Sequence, residues 1–124
     1  MMTANAARKD ASGYLDVSIT LERLAGDEEL FAEIAQILVQ TAPEHLRTIS
    51  AALAANDMKR GYEEAHSLKG AVAAFEAPEV FQAVAAVERY AKGDDAVAAR
   101  AALSSAQTLV ETLLVELQPH LPAR

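Results

Sequence analysis

The run Ala65–Gly70, AHSLKG, combines a nucleophile, a cation and a residue without a side chain. His66, Lys69 and Gly70 are three and four residues apart, so on a helix they share one side within a turn. A histidine side chain is ordinarily mostly neutral at pH 7, and a neutral ring offers one nitrogen as a nucleophile. The ammonium of Lys69 can meet the charge of a phosphoryl group bound to His66. This segment therefore places a candidate nucleophile and a cation within one turn of each other.

Helical spacing also predicts that His66 faces solvent. At 100° per residue the apolar positions around Leu68 and Val72 cluster on one side of the helix, and His66 lies nearly opposite. Tyr62, Gly70 and Ala73 lie beside it. Glycine costs a helix about 1 kcal/mol relative to alanine, and a bare backbone would let another protein approach the imidazole. An ordinary surface histidine next to a packing glycine is the alternative that the spacing leaves open.

A long apolar stripe precedes this segment. Residues 28–55 carry apolar side chains at steps of three and four residues, and the stripe keeps its phase across Pro43. A proline inside a helix removes one backbone hydrogen bond and bends the axis. We therefore expect one long kinked helix over 28–55, with two helices meeting near Thr41 as the alternative.

The remaining pattern predicts an all-α fold. A short helix is expected over 17–24, capped by Asp16 or Ser18, and further helices start after Asp57, at Pro78 and at about residue 95. We expect the helix carrying His66 to end at residues 76–78 and the last helix to end at about 117. Short loops favour an antiparallel up-down-up-down four-helix bundle with a short extra N-terminal helix. The predicted organisation is a flexible N-terminal tail over 1–14, the bundle over 15–118 and a C-terminal tail over 119–124.

Composition limits the function. The chain has 124 residues, 52% of them hydrophobic, no cysteine and a formal net charge of −7, which fits one folded domain and disfavours nucleic-acid binding. No apolar run is long enough to span a membrane, and the polar N-terminus has no signal-peptide pattern, so we expect a cytoplasmic protein. His45 and His120 are expected to be a surface residue and a tail residue without function, and the spacing of the histidines predicts no metal site.

The run Ala65–Gly70 resembles the phosphorylation motif of histidine phosphotransfer (HPt) domains, in which the histidine is followed by x-Leu/Ile-Lys-Gly. Gly26–Phe31 resembles the start of the family's first long helix, and Val84–Glu88 resembles the end of the helix after the phosphorylated one. The resemblance covers roughly residues 17–117. It implies that His66 is phosphorylated, that Lys69 stabilises the phosphate, and that Gly70, with Tyr62 and Ala73 beside it, belongs to a partner-docking surface.

Glu88 and Glu76 stand at two further positions to which the resemblance assigns a meaning. In the family a Glu or Gln on the next helix often hydrogen-bonds the imidazole, and that position falls on Glu88; a carboxylate there would orient the ring. A surface acid paired with Lys92 four residues on is the equally open alternative. Glu76 stands where many members have glycine before Ala77, so the shape of the docking surface is expected to differ.

The resemblance implies a phosphorelay intermediate. His66 would accept a phosphoryl group from a receiver-domain aspartate and pass it to another receiver. The chain would be a monomeric phosphocarrier, not an enzyme, without its own cofactor; Mg²⁺ would sit on the partner receiver. Its expected partners are response-regulator receiver domains and a hybrid histidine kinase. The alternatives are a helical adaptor that binds receiver or kinase domains without being phosphorylated, and the helical output domain of a dimeric histidine kinase.

Overall fold

The computed structural model describes residues 13–123, and its regular structure there is entirely helical. Five α-helices follow one another: α1 (Val17–Arg23), α2 (Glu28–Ala54), α3 (Met58–Val72), α4 (Pro78–Lys92) and α5 (Ala96–Leu117), and a 3₁₀ turn follows at Gln118–His120. The all-α prediction is confirmed for this part of the chain. The predicted N-terminal tail lies outside the described residues except for residues 13 and 14.

Aspartate side chains set most of the helix starts. Asp16, Asp27, Asp57 and Asp95 each accept a hydrogen bond from the backbone N–H three residues later, at 3.0–3.1 Å. These bonds satisfy donors that the first turn of a helix leaves unpaired. α4 starts instead with Pro78, whose missing N–H costs nothing at a first position.

The long helix α2 is continuous across Pro43, so the alternative of two helices meeting near Thr41 is wrong. Pro43 cannot donate a backbone hydrogen bond, but the buried positions Ala42 and Leu46 keep the helix against the core on both sides of it. The Thr41 hydroxyl donates to the Ile37 carbonyl at 2.9 Å, one turn earlier. The free energy gained by burying the apolar stripe of α2 therefore exceeds the cost of the backbone hydrogen bond lost at Pro43.

α3 packs between α2 and α4, α4 packs on α5, and α2 also contacts α5. The buried side of α3 includes Ala65, Leu68 and Val72, all at 0% exposure. At Gly61 a Cβ atom would lie 2.7 Å from Leu53 Cδ2, so this glycine allows α2 and α3 to approach closely. α3 thus buries one side against its neighbours and leaves the other side for the site.

The turn between α3 and α4 is fastened to α1 by Glu76. Its backbone carbonyl accepts from the Asp16 N–H at 2.8 Å, its own N–H donates to the Thr20 hydroxyl at 2.9 Å, and its carboxylate pairs with Arg23. α3 therefore ends at Val72, earlier than the predicted 76–78, because the chain turns at residues 73–77 to make these bonds.

Both ends of the described chain are held to the helices. The Glu116 carboxylate accepts from the backbone N–H groups of Tyr14 and Leu15, at 2.8 Å each. The His120 ring stacks on Phe31 with 5.1 Å between centroids. The predicted C-terminal tail, residues 119–124, thus begins in a 3₁₀ turn that contacts α2. His120 has a packing contact, which the sequence pattern did not predict.

Candidate functional site

The His66 side chain projects into solvent from the middle of α3. It is 62% exposed, whereas Ala65 and Leu68 on either side of it are fully buried. This difference follows from the helical period, since the buried side of α3 is fixed by the core. The structure therefore places the imidazole where an incoming protein can reach it.

Glu88 on α4 bridges His66 and Lys69. Its Oε2 lies 2.6 Å from Nδ1 of His66, and its Oε1 lies 2.6 Å from Nζ of Lys69. The carboxylate is only 12% exposed, so α3 and α4 enclose it while the imidazole remains open to solvent. The sequence left two partners open for Glu88, His66 and Lys92. In the structure Glu88 contacts His66, and Lys92 lies over the Tyr62 ring.

The protonation of this group follows from the Glu88 carboxylate. Burial raises the pKa of Glu88, but the hydrogen bonds from Lys69 and His66, with their electrostatic attraction, outweigh burial and leave that pKa below its ordinary value. Glu88 is therefore ionised at neutral pH and can only accept hydrogen bonds. Nδ1 of His66 must then be the donor in this hydrogen bond, so the tautomer with a free lone pair on Nε2 is the one that this contact favours.

Aromatic rings and a second lysine surround the imidazole. The Tyr62 ring stacks on His66 with 6.1 Å between centroids, and Nζ of Lys92 lies 5.7 Å from the Tyr62 centroid. Nζ of Lys69 lies 5.9 Å from the centroid of Phe81. Neither Phe81 nor Lys92 was predicted from the sequence to be a site residue. Their spacing of seven and four residues around Glu88 was the available signal, because it places all three on one face of α4.

Gly70 and Ala73 are exposed on the same side of α3. A Cβ atom at Gly70 would meet nothing within 4 Å, so Gly70 is not a packing glycine. Next to it is an apolar hollow of about 190 Å³ between α2 and α3, lined by residues that include Ile34, Ile37 and Ala74. The surface beside Gly70 on the α2 side is thus low and apolar.

A second histidine–glutamate pair lies elsewhere on the same helices. Nδ1 of His45 on α2 is 2.7 Å from Oε2 of Glu64 on α3, and the His45 side chain is 22% exposed. His45 is thus a partly buried residue where α2 meets α3, with a carboxylate partner that was not predicted from the sequence. The spacing of the two residues along the chain gives no signal for this contact.

Residues 13–123 contain neither a cluster of metal-ligand side chains nor a helix that could span a membrane. No group of three or more His, Cys, Asp or Glu side chains there is arranged to hold a metal ion. Among the helices of the same residues, none has the length and apolar character to cross a bilayer.

Comparison with known protein families agrees with the geometry. The family model described as "Hpt domain" matches residues 33–120, and this chain belongs to that family. Searches of curated proteins and of solved structures found no match. Hpt domains act in phosphotransfer within two-component signalling, where they carry phosphoryl groups and partner with receiver domains and kinases.

Proposed function

We propose that this chain is a phosphorelay intermediate that accepts a phosphoryl group on His66 from a receiver aspartate and passes it to a second receiver. The observation that carries the proposal is the exposed imidazole whose Nδ1 is 2.6 Å from the Glu88 carboxylate. An anchored Nδ1 and an open ring are what a nucleophilic Nε2 requires.

The proposed transfer leaves the number of protons on the His66 ring unchanged. The Nε2 lone pair attacks the phosphorus of the aspartyl phosphate, the Nε2–P bond forms, and the P–O bond to the aspartate breaks to release its carboxylate. Nδ1 keeps its proton, shared with Glu88. In the reverse step a receiver carboxylate attacks phosphorus, and the ring leaves as neutral imidazole because that proton is already in place.

Lys69 is proposed to neutralise phosphoryl charge. Lys69 lies on α3, the helix that carries His66, and its Nζ is held 2.6 Å from Oε1 of Glu88. Loose phosphoryl transfer spreads charge over the equatorial oxygens, so a nearby ammonium stabilises both the transition state and the adduct. Mg²⁺ is proposed to be supplied by the acidic pocket of the partner receiver, with catalysis residing there and this chain acting as a carrier.

The finer architecture is part of the proposal. We propose that α2 to α5 form the antiparallel up-down-up-down bundle, with residues 15–118 as the phosphotransfer unit. The packing of α3 between α2 and α4 and the contact of α2 with α5 support this arrangement. Gly70 and Ala73 are proposed as docking positions for the receiver. A cytoplasmic monomer that works with a hybrid histidine kinase is the proposed setting.

Transfer from receivers phosphorylated with radiolabelled acetyl phosphate tests the proposal. The wild-type chain is expected to take label from at least one receiver, and His66→Gln is expected to take none while keeping its helicity. His45→Gln is the matched control, because His45 has the same Nδ1–glutamate contact but is 22% exposed. Label on the His66→Gln chain would refute the assignment. Binding of a receiver without any labelling of the wild type would favour the adaptor.

A further inference from the structure

The imidazole of His66 is contacted on its flat side as well as at its edge. Tyr62, one turn earlier on α3, stacks on it with an interplanar angle of 28° and 6.1 Å between centroids. The hydrogen bond to Glu88 holds Nδ1, but because a carboxylate accepts over a broad range of angles, the ring can still turn somewhat about its Cβ–Cγ bond. A stacked ring restricts that turn, so the two contacts together define the plane of the imidazole.

Tyr62 is itself held from α4. Nζ of Lys92, in the last turn of α4, lies 5.7 Å from the centroid of the Tyr62 ring, within the range of a cation–π contact. Glu88 lies one turn earlier on the same helix. Both contacts of the imidazole therefore depend on residues of α4, directly through Glu88 and indirectly through Lys92, although His66 lies on α3.

We propose that Tyr62, held by Lys92, is a positioning residue that sets the plane of the His66 imidazole and so aims Nε2 at the phosphorus of the receiver's aspartyl phosphate. The inference rests on the proposed function and changes the role of Tyr62, which the sequence analysis assigned to docking. A docking residue acts on receiver affinity. A positioning residue acts on the step in which the Nε2–P bond forms and the aspartyl P–O bond breaks, since that step depends on alignment.

Kinetics of transfer from one phosphorylated receiver separate the two roles. For Tyr62→Leu we expect the rate constant at saturating receiver to fall about two- to tenfold, the range of one aromatic contact, with an unchanged half-saturating concentration. Tyr62→Phe keeps the ring and should transfer like the wild type. Lys92→Gln removes the cation over the Tyr62 ring and should lower the same rate constant, whereas Lys92→Arg keeps a cation there and should keep the wild-type value. A raised half-saturating concentration with an unchanged rate constant for Tyr62→Leu would overturn the inference.

Proton NMR of the unphosphorylated chain gives a second readout that needs no receiver. The stacked Tyr62 ring should shift the ring protons of His66 by its ring current; this shift should persist in Tyr62→Phe and disappear in Tyr62→Leu. Equal His66 shifts in the wild type and Tyr62→Leu would overturn the positioning role even if transfer works. A wild-type chain that shows the shift but accepts no phosphoryl group would refute the proposed function and leave the positioning contact standing.

Discussion

Substitution of Gly70 is the sharpest test of the proposal that the absence of a side chain beside His66 serves docking. Gly70 is exposed inside α3, and a Cβ atom there would touch nothing within 4 Å. Gly70→Ala should therefore gain the full helix-propensity difference, about 0.8–1 kcal/mol in the free energy of unfolding. For a domain of this size that corresponds to a rise of about 3–6 °C in Tm. A glycine that lowers the stability of the isolated chain needs an explanation outside the chain, and the proposed docking of a receiver at Gly70 would supply one.

Three further variants, two of them controls, isolate the effect of Gly70. Gly61→Ala on the same helix places its methyl group 2.7 Å from the buried Leu53 Cδ2, so overpacking of about 1–3 kcal/mol should cancel or exceed the propensity gain. Gly70→Leu should fold at least as stably as the wild type but raise the half-saturating receiver concentration tenfold or more, equivalent to about 1.4 kcal/mol of docking. Ala101→Leu, at an exposed position of α5, controls for added bulk.

Thermal unfolding and transfer kinetics are the two assays. The docking explanation for Gly70 fails if Gly70→Ala is no more stable than the wild type, because the glycine would then be required by the fold. It also fails if Gly70→Leu transfers with the wild-type half-saturating concentration, because the bare backbone would then have no role in docking.

Three further predictions concern the charged groups. Lys69→Ala should slow transfer about 10- to 100-fold, the value of one charge-assisted hydrogen bond, with little loss of helicity by circular dichroism; wild-type transfer would contradict its role. Glu88→Gln should lower the free energy of unfolding at pH 7 by about 1–2 kcal/mol. Folding lowers the pKa of Glu88, so the ionised carboxylate contributes its full stabilisation above the ordinary glutamate pKa of about 4.3 and loses it as the pH falls through the lower folded value. The difference in unfolding free energy between the wild type and Glu88→Gln, measured by urea unfolding, should therefore shrink in acid. A difference that grows in acid would contradict this prediction. His45→Gln should leave the transfer rate unchanged, and a large loss would show a second functional histidine.

The elements and one side of the site follow from local rules. Helix starts at aspartates and the phase of the α2 stripe are properties of neighbouring residues, and both were predictable. His66 and Lys69 share a helix, so their spacing alone places them together. Glu88 lies on another helix, and its assignment required the family resemblance.

Contacts between helices were beyond sequence reasoning. Which face of α4 meets α3 depends on packing of the whole core, so Phe81 and Lys92 could be recognised only once Glu88 was placed. The His45–Glu64 pair has no spacing signal for the same reason. Glu76 looked like a departure from the family pattern, and only the tertiary structure shows that its backbone and carboxylate join the α3–α4 turn to α1.

The fastening of α1 matters for anyone who trims the chain. The matched segment, residues 33–120, begins inside α2 and omits α1 entirely. Such a fragment would keep His66, Lys69 and Glu88, but it would expose Glu76 and Glu116 without the groups they bind. The structured unit therefore begins upstream of the segment that the family model matches, and slower transfer by a chain trimmed to residues 33–120 would be expected from the lost anchorage of the turn before α4.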